Sequence, residues 1–247
     1  MQPFFSTLLF LGGVLSLFPI VQGEGEVVRK IPEDLRMKTE QKNVAEDVHE
    51  IFVNGSAIVY VTQGDTNSLT LEGNDSVIAK TSVTQTDGKF ILITEKRVLE
   101  NVRFLMPKLT CKMTLKNVSK AVSREGAQIK LGTLRSDALD LEVHDNGRID
   151  VVLNGNSVSS FIERSGQIFI AGTVDKQVAV LAGDGLYEAN GLTSRECKVD
   201  VFRDGTAFVI ASDLLTVNIN ENGKVNYSGN PAQIISNVSQ TGKLIPH

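Results

Sequence analysis

The side chains that most often do chemistry are thinly spread along this chain. Its 247 residues include 3 His, 2 Cys, 3 Tyr and no Trp. His49, His144 and His247 stand far apart in sequence. No HExxH pair or His/Cys cluster accompanies them, so they read as surface histidines, and neither a metal site nor a cofactor is expected. The carboxylates Asp137, Asp140, Glu142, Asp150, Glu188 and Asp200 fall outside the turns. Cleaving a glycosidic bond needs two such groups roughly 5–10 Å apart. Asp150 and Glu188 could share one outward column, but two repeats separate them, near that upper bound at about 4.8 Å per strand. Solvated faces are therefore the expected role, and no catalytic residue is assigned. Calcium binding has no support either, because the GGxGxD repeat is absent. Sugar binding would want aromatic platforms, and Tyr187 and Tyr227 fall in the register that points inward.

Charge narrows the partners further. With 25 Lys+Arg against 29 Asp+Glu the net charge is −4, which does not suit a nucleic-acid binder. A hydrophobic fraction of 41% with 22% charged residues describes a chain that buries a core.

The elements that must hold these residues announce themselves through glycine. Gly126, Gly147, Gly166, Gly185, Gly205, Gly223 and Gly242 recur every 18–21 residues. Most open a short run of alternating apolar residues, such as GRIDVVL or GTAFVIA, and a second alternating run lies about ten residues upstream of each turn. Alternation of period two places one side of each strand in a core and the other outside. Turns such as His144-Asp145-Asn146-Gly147 suggest that Gly supplies the positive φ of the corner, with Asp or Asn before it. A unit so short cannot bury its apolar side alone, whereas stacked copies can. An antiparallel sandwich also uses short strands, yet its hairpins do not require a Gly-led unit at this interval. The expected fold is all-β: a right-handed parallel β-helix, or β-solenoid, of about 20 residues per turn with a β-rich N-terminal cap, its hand following from parallel crossovers.

The domain organisation follows. From Phe4 to Val21 the chain is apolar apart from Ser6, Thr7 and Ser16, and Val21 and Gly23 suit the subsites of signal peptidase. Residues 1–23 read as a cleaved signal peptide and 24–50 as a leader, in which the spacing of Val44, Val48 and Ile51 allows a short helix. Residues 51–105 read as the cap and 106–247 as the β-helix repeats. No later stretch is long and apolar enough to span a bilayer. Cys111 and Cys197 both face the core, about four repeats apart, or roughly 19 Å of stack. A disulfide needs Cα atoms within about 7 Å, so two free thiols are expected.

Several strand positions that face out are apolar: Val152, Phe169, Leu186, Phe208 and Ile210. They predict an apolar strip along one side of the stack, covered either by residues 24–105 or by a partner. Asn-x-Ser/Thr sequons stand at Asn54, Asn74, Asn117, Asn226 and Asn237 and matter only in a eukaryotic secretory pathway.

The stretch VYVTQGDTNSLTLEGND, then TDGKFILITEK, then the repeats, and the terminal Gly223-x-Val225-x-Tyr227-x-Gly229-x-Pro231 run followed by Thr241-Gly242, resembles the auto-transporter adhesin head GIN domain family over about residues 48–245. The resemblance implies an exported protein of β-helical build and carries no catalytic residues. Here Asp or Asn often stands before the turn glycine in place of the family's Ser-Gly-Ser-Gly. The functional expectation is an exported, non-enzymatic binding or structural module, adhesin-like, secreted or in the cell envelope. Its partner would be a protein, a glycan or a second copy. An envelope maintenance or stress factor, or a polysaccharide-acting β-helix enzyme, are the alternatives.

Overall fold

The computed structural model describes residues 36–94 and 109–247. The expected signal peptide at 1–23, the leader up to residue 35 and the 95–105 end of the expected cap lie outside the described residues. Strand makes up 71% of the structure, and the chain winds into a parallel β-solenoid of about seven turns with roughly 19 residues per turn.

Five long strands carry the regular part: β9 (Gln128–Val143), β10 (Arg148–Ile162), β11 (Gln167–Leu181), β12 (Leu186–Val201) and β13 (Thr206–Ile219). Each bends at a corner and supplies two sides of one turn. Parallel pairing puts every second side chain into register through the stack. Ile149, Ile168, Tyr187, Ala207 and Val225 form one inward column. Leu139, Val158, Gln177, Cys197 and Leu215 form another, and every member of both is buried. Burying one such Ile or Leu is worth roughly 1.5–3 kcal/mol against leaving it exposed, so the stack is held by its columns.

Gly126 takes the positive φ (86°) that its spacing suggests, but the next glycines of the column have a different cause. Positive φ falls on Asp145 (57°) and Arg164 (57°), two residues before Gly147 and Gly166, and not on those glycines. What those glycines supply is the absence of a side chain. A Cβ at Gly166 would lie 2.5 Å from Val143 Cγ1, and one at Gly185 would lie 2.3 Å from Ile162 Cγ2. The chain turns inward there and rests on the preceding rung.

Residues 51–94 contribute strands to two rungs of the stack itself. β2 (Glu50–Asn54) pairs in parallel with β8 (Lys120–Arg124), and β3 (Ala57–Gln63) pairs in parallel with β9. β6 (Lys89–Thr94) and β7 (Leu109–Leu115) stack on the far side of β2 and β3. The strands that depart from solenoid pattern are β1 (Met37–Lys42), β4 (Ser68–Asn74) and β5 (Thr81–Thr86). They run antiparallel, β4 on β7, β1 on β4 and β5 on β6, and close this end of the sheet. The β5–β6 hairpin turns through Asp87 and Gly88, both at positive φ, as a two-residue loop between twisted strands requires.

Val44, Val48 and Ile51 are all buried, but no helix forms there; Ile51 lies on β2. The described helix is α1 (Asp75–Ala79), capped by Asn74, whose Oδ1 accepts from the Val77 N–H at 2.8 Å. At the other end, β14 (Lys224–Ser228), β15 (Gln233–Val238) and β16 (Lys243–Pro246) complete the last turns. Ile234 continues the inward column of Leu215 yet is 42% exposed, because no further described strand lies on it.

Cys111 and Cys197 are free and buried. Between β7 and β12 lie β3, β9, β10 and β11, five strand steps and about 24 Å, one more than the sequence suggests because β3 is inserted into the stack.

Candidate functional site

The most structured surface is the outward face of the strand segments that follow the turn glycines. One column on it runs Tyr60, Lys130, Asp150, Phe169, Glu188, Phe208 and Asn226 across β3 and β9 to β14. Leu186 lies in the column beside it, between Gln167 and Thr206. Val152 aligns with Ala171, and Ile210 with Thr193. All five apolar residues anticipated at the surface therefore share this face, in four strands and more than one column. Register shifts between Phe169 and Ala171, and again between Glu188 and Thr193, offset Val152 from Ile210. Phe169, Leu186, Phe208 and Ile210 are partly buried and Val152 is 41% exposed. The described strands of residues 36–94 pair at the N-terminal end of the stack and leave this strip uncovered.

Glu188 stands in the middle of that strip. Phe169 and Phe208 flank it on the neighbouring strands, Leu186 precedes it by two residues on its own strand, and Ile210 lies two residues past Phe208. Its carboxylate makes no hydrogen bond or ion pair among the described residues. Asp150, two strands away in the same column, is satisfied: Arg148 donates from Nε at 2.9 and 3.0 Å to its two oxygens and from Nη2 at 2.7 Å. The same guanidinium lies 3.9 Å from the centre of the Phe169 ring. Lys130 repeats the theme over Tyr60 at 5.3 Å. The expected alignment of Asp150 with Glu188 is present, with the Phe169 ring between them. Arg148 and Tyr60 are the members that sequence reasoning passed over. Arg148 was accessible from its position two residues before Asp150 on one strand face.

The other outward face carries a line of charge. Lys120 hydrogen-bonds Glu142, His144 Nδ1 lies 2.7 Å from Glu163, and His144 Nε2 lies 3.5 Å from Glu142. Burial works against ionisation of Glu142, but the hydrogen bond and charge of Lys120, joined by those of His144, outweigh it and hold the carboxyl below its ordinary value. His144 also tilts against Phe161 and its side chain is only 16% exposed, so it is less open than a surface histidine. His49 contacts the Asp47 carbonyl and His247 the Asn226 amide oxygen, both remote from His144. Among the described residues no group of three His, Cys, Asp or Glu side chains could hold a metal ion. Of the acidic residues singled out, Asp137 meets Asn156 and Asp200 meets Asn218 and Lys198. A groove of about 530 Å³ is lined by Asn117, Ser119, Arg135, Asp137 and Asn154, and of those acidic residues only Asp137 reaches it.

The fold defines the class of parallel β-solenoid proteins, here with an aromatic and charged ladder on one side. Within it, residues 47–231 match the family model described as putative auto-transporter adhesin, head GIN domain, and the chain belongs to that family. Solved structures give the same fold. A putative adhesin from Bacteroides fragilis is 19% identical, with a TM-score of 0.76 over 88% of this chain and 100% of that one. A putative adhesin from Parabacteroides distasonis is 20% identical, with a TM-score of 0.66 over 87% and 98%. A putative lipid binding protein from the same organism is 14% identical, with a TM-score of 0.67 over 85% and 96%. No curated protein matches the chain. No described helix is long and apolar enough to cross a membrane.

Proposed function

We propose that this protein is an exported, non-enzymatic binding module that holds a macromolecular partner on the flat face bearing Val152, Phe169, Leu186, Phe208 and Ile210. The observation that carries the reading is that these five side chains converge on one rigid, hydrogen-bonded sheet and remain uncovered by the described chain. A strip of outward aromatic and aliphatic side chains on a sheet is kept by a protein that uses it, since it otherwise invites aggregation. The family and the apolar stretch from Phe4 to Val21 support export. The reading as a binder rather than an enzyme draws on the carboxylates: Asp150 is tied to Arg148, and Phe169 stands between it and Glu188.

The test compares purified protein with Phe208→Asp on immobilised matrix proteins, mucin and whole cells, after circular dichroism and melting have shown that both fold. Retention of the parent on at least one surface, reduced about tenfold or more in the variant, is the expected result. No retention of the parent overturns the adhesin-like reading. Equal retention of a folded variant overturns the assignment to this face.

A further inference from the structure

Glu188 is a partly buried carboxylate without a hydrogen-bond or ion-pair partner among the described residues, set among Phe169, Leu186, Phe208 and Ile210. Removing water from such a group without supplying a counter-charge is costly, so the patch as it stands penalises a purely apolar partner. A partner that brings a cation to that point turns the penalty into a charge-assisted hydrogen bond. The two rings beside Glu188 favour the same choice. Phe169 and Phe208 occupy the adjacent strands, each about 4.8 Å away by strand spacing, so a group over Glu188 sits between two aromatic side chains.

The chain already builds this arrangement once within itself. Two rungs before Glu188, Arg148 stacks at 3.9 Å on Phe169 while its nitrogens engage the Asp150 carboxylate. Guanidinium, phenyl ring and carboxylate are thus combined on the same face, with the cation supplied internally. At Glu188 the ring and the carboxylate are present and no described residue supplies the cation. The position of Arg148 in its column is taken two rungs on by Leu186, which cannot pair with Glu188. Leu186 and Ile210 instead line the approach with aliphatic surface that matches the methylene stem of an arginine or lysine.

Resting on the binding face proposed above, we infer that Glu188, Phe169 and Phe208 form a subsite for a basic side chain, an arginine above all, presented by an extended protein segment lying across the strands. Arginine is favoured over lysine because its planar, weakly hydrated guanidinium stacks on a ring and pairs with a carboxylate at once, as Arg148 does.

The test uses two five-residue probes, acetyl-Thr-Leu-Arg-Leu-Thr-amide and the same peptide with neutral citrulline in place of arginine, titrated against the full protein with NMR detection. Tighter binding of the arginine peptide by about fivefold or more is expected, with shifts centred on Phe169, Glu188 and Phe208. Glu188→Gln removes the preference and keeps the fold, while Glu163→Gln on the other face leaves it intact. Equal binding of the two peptides, or a preference that survives Glu188→Gln, overturns the subsite. Equal competition by free spermine overturns its assignment to a protein segment. If the cation preference is absent while Phe208→Asp still abolishes surface retention, the subsite falls and the binding face stands. If Phe208→Asp leaves retention unchanged, the face itself falls.

Discussion

Arg148 lies with its guanidinium 3.9 Å from the centre of the Phe169 ring, one strand further along the stack. The contact joins two neighbouring turns through their outward side chains, and Asp150 fixes the guanidinium in place. Truncating Phe169 therefore does more than remove apolar area. Phe169→Leu keeps much of the burial and loses the stacking, and a double-mutant cycle with Arg148→Met should return a coupling of about 0.5–1 kcal/mol at this partly exposed site. Additive effects of the two substitutions in urea unfolding would show that the contact contributes nothing.

A second prediction concerns the polar centre of the solenoid. Gln177 is fully buried, its Nε2 donates to Ser194 Oγ at 2.7 Å and to the Ile210 carbonyl at 3.0 Å, and its Oε1 accepts from the Tyr187 hydroxyl at 3.3 Å. Gln177→Leu would keep the volume and remove the acceptor that the Tyr187 hydroxyl uses here. A loss of about 1–3 kcal/mol, seen as a lower urea midpoint, is the expected outcome. An unchanged midpoint would mean that the network is neutral.

Gly172 gives a third. Its φ is +117°, and a Cβ there would lie 1.9 Å from the Leu153 carbonyl oxygen of the rung before. Gly172→Ala should destabilise by at least about 2 kcal/mol or prevent folding, since backbone strain and a clash with main chain coincide. A melting temperature unchanged by this substitution would contradict the register of β10 on β11.

The pH dependence is set by buried acids. Burial pushes the Cys111 thiol from 9.0 up to about 12 and pushes the Cys197 thiol and the Tyr187 hydroxyl up as well. Groups raised in the folded state bind protons that the unfolded chain has released. Their contribution is complete below about pH 9, where the unfolded thiols are still protonated, and is lost as pH rises from there towards 12. Glu142 has the opposite sign. Its depressed carboxyl contributes above its ordinary value of 4.5 and loses that contribution as pH falls through the lower folded value. Stability measured by urea unfolding should be flat through neutrality, fall steeply above pH 9 and fall gently in acid. At pH 8 neither thiol should react with iodoacetamide in native protein, and both should react in denaturant. Rapid native labelling would contradict their burial.

These same residues show how far the sequence carries. The columns containing Cys111, Cys197 and Tyr187 follow from alternation and a repeat of about twenty residues, because an inward side chain in one turn must stack on its equivalent in the next. Beyond Gly126, whose φ is positive as expected, the reason for the turn glycines was not accessible: spacing shows that a glycine is needed, but only the packing of Gly166 on Val143 shows that room, and not φ, is what is scarce there. Nor was the insertion of β2 and β3 between β6–β7 and β8–β9, which reverses chain order along the stack. The apolar strip was visible as a set of outward residues, and Phe169, Glu188 and Phe208 each stand three residues after a turn glycine. The offset of Val152 from Ile210 was not visible, because it depends on register shifts at the corners of β11, β12 and β13.

Whether this face meets something outside the cell is tested most directly by protease shaving of intact source cells, with an internal protein as control and detection of the chain. Loss of the chain from intact cells, or its recovery from the medium, is the result predicted. Full protection until the envelope is opened would contradict it and place the solenoid in an internal structural role.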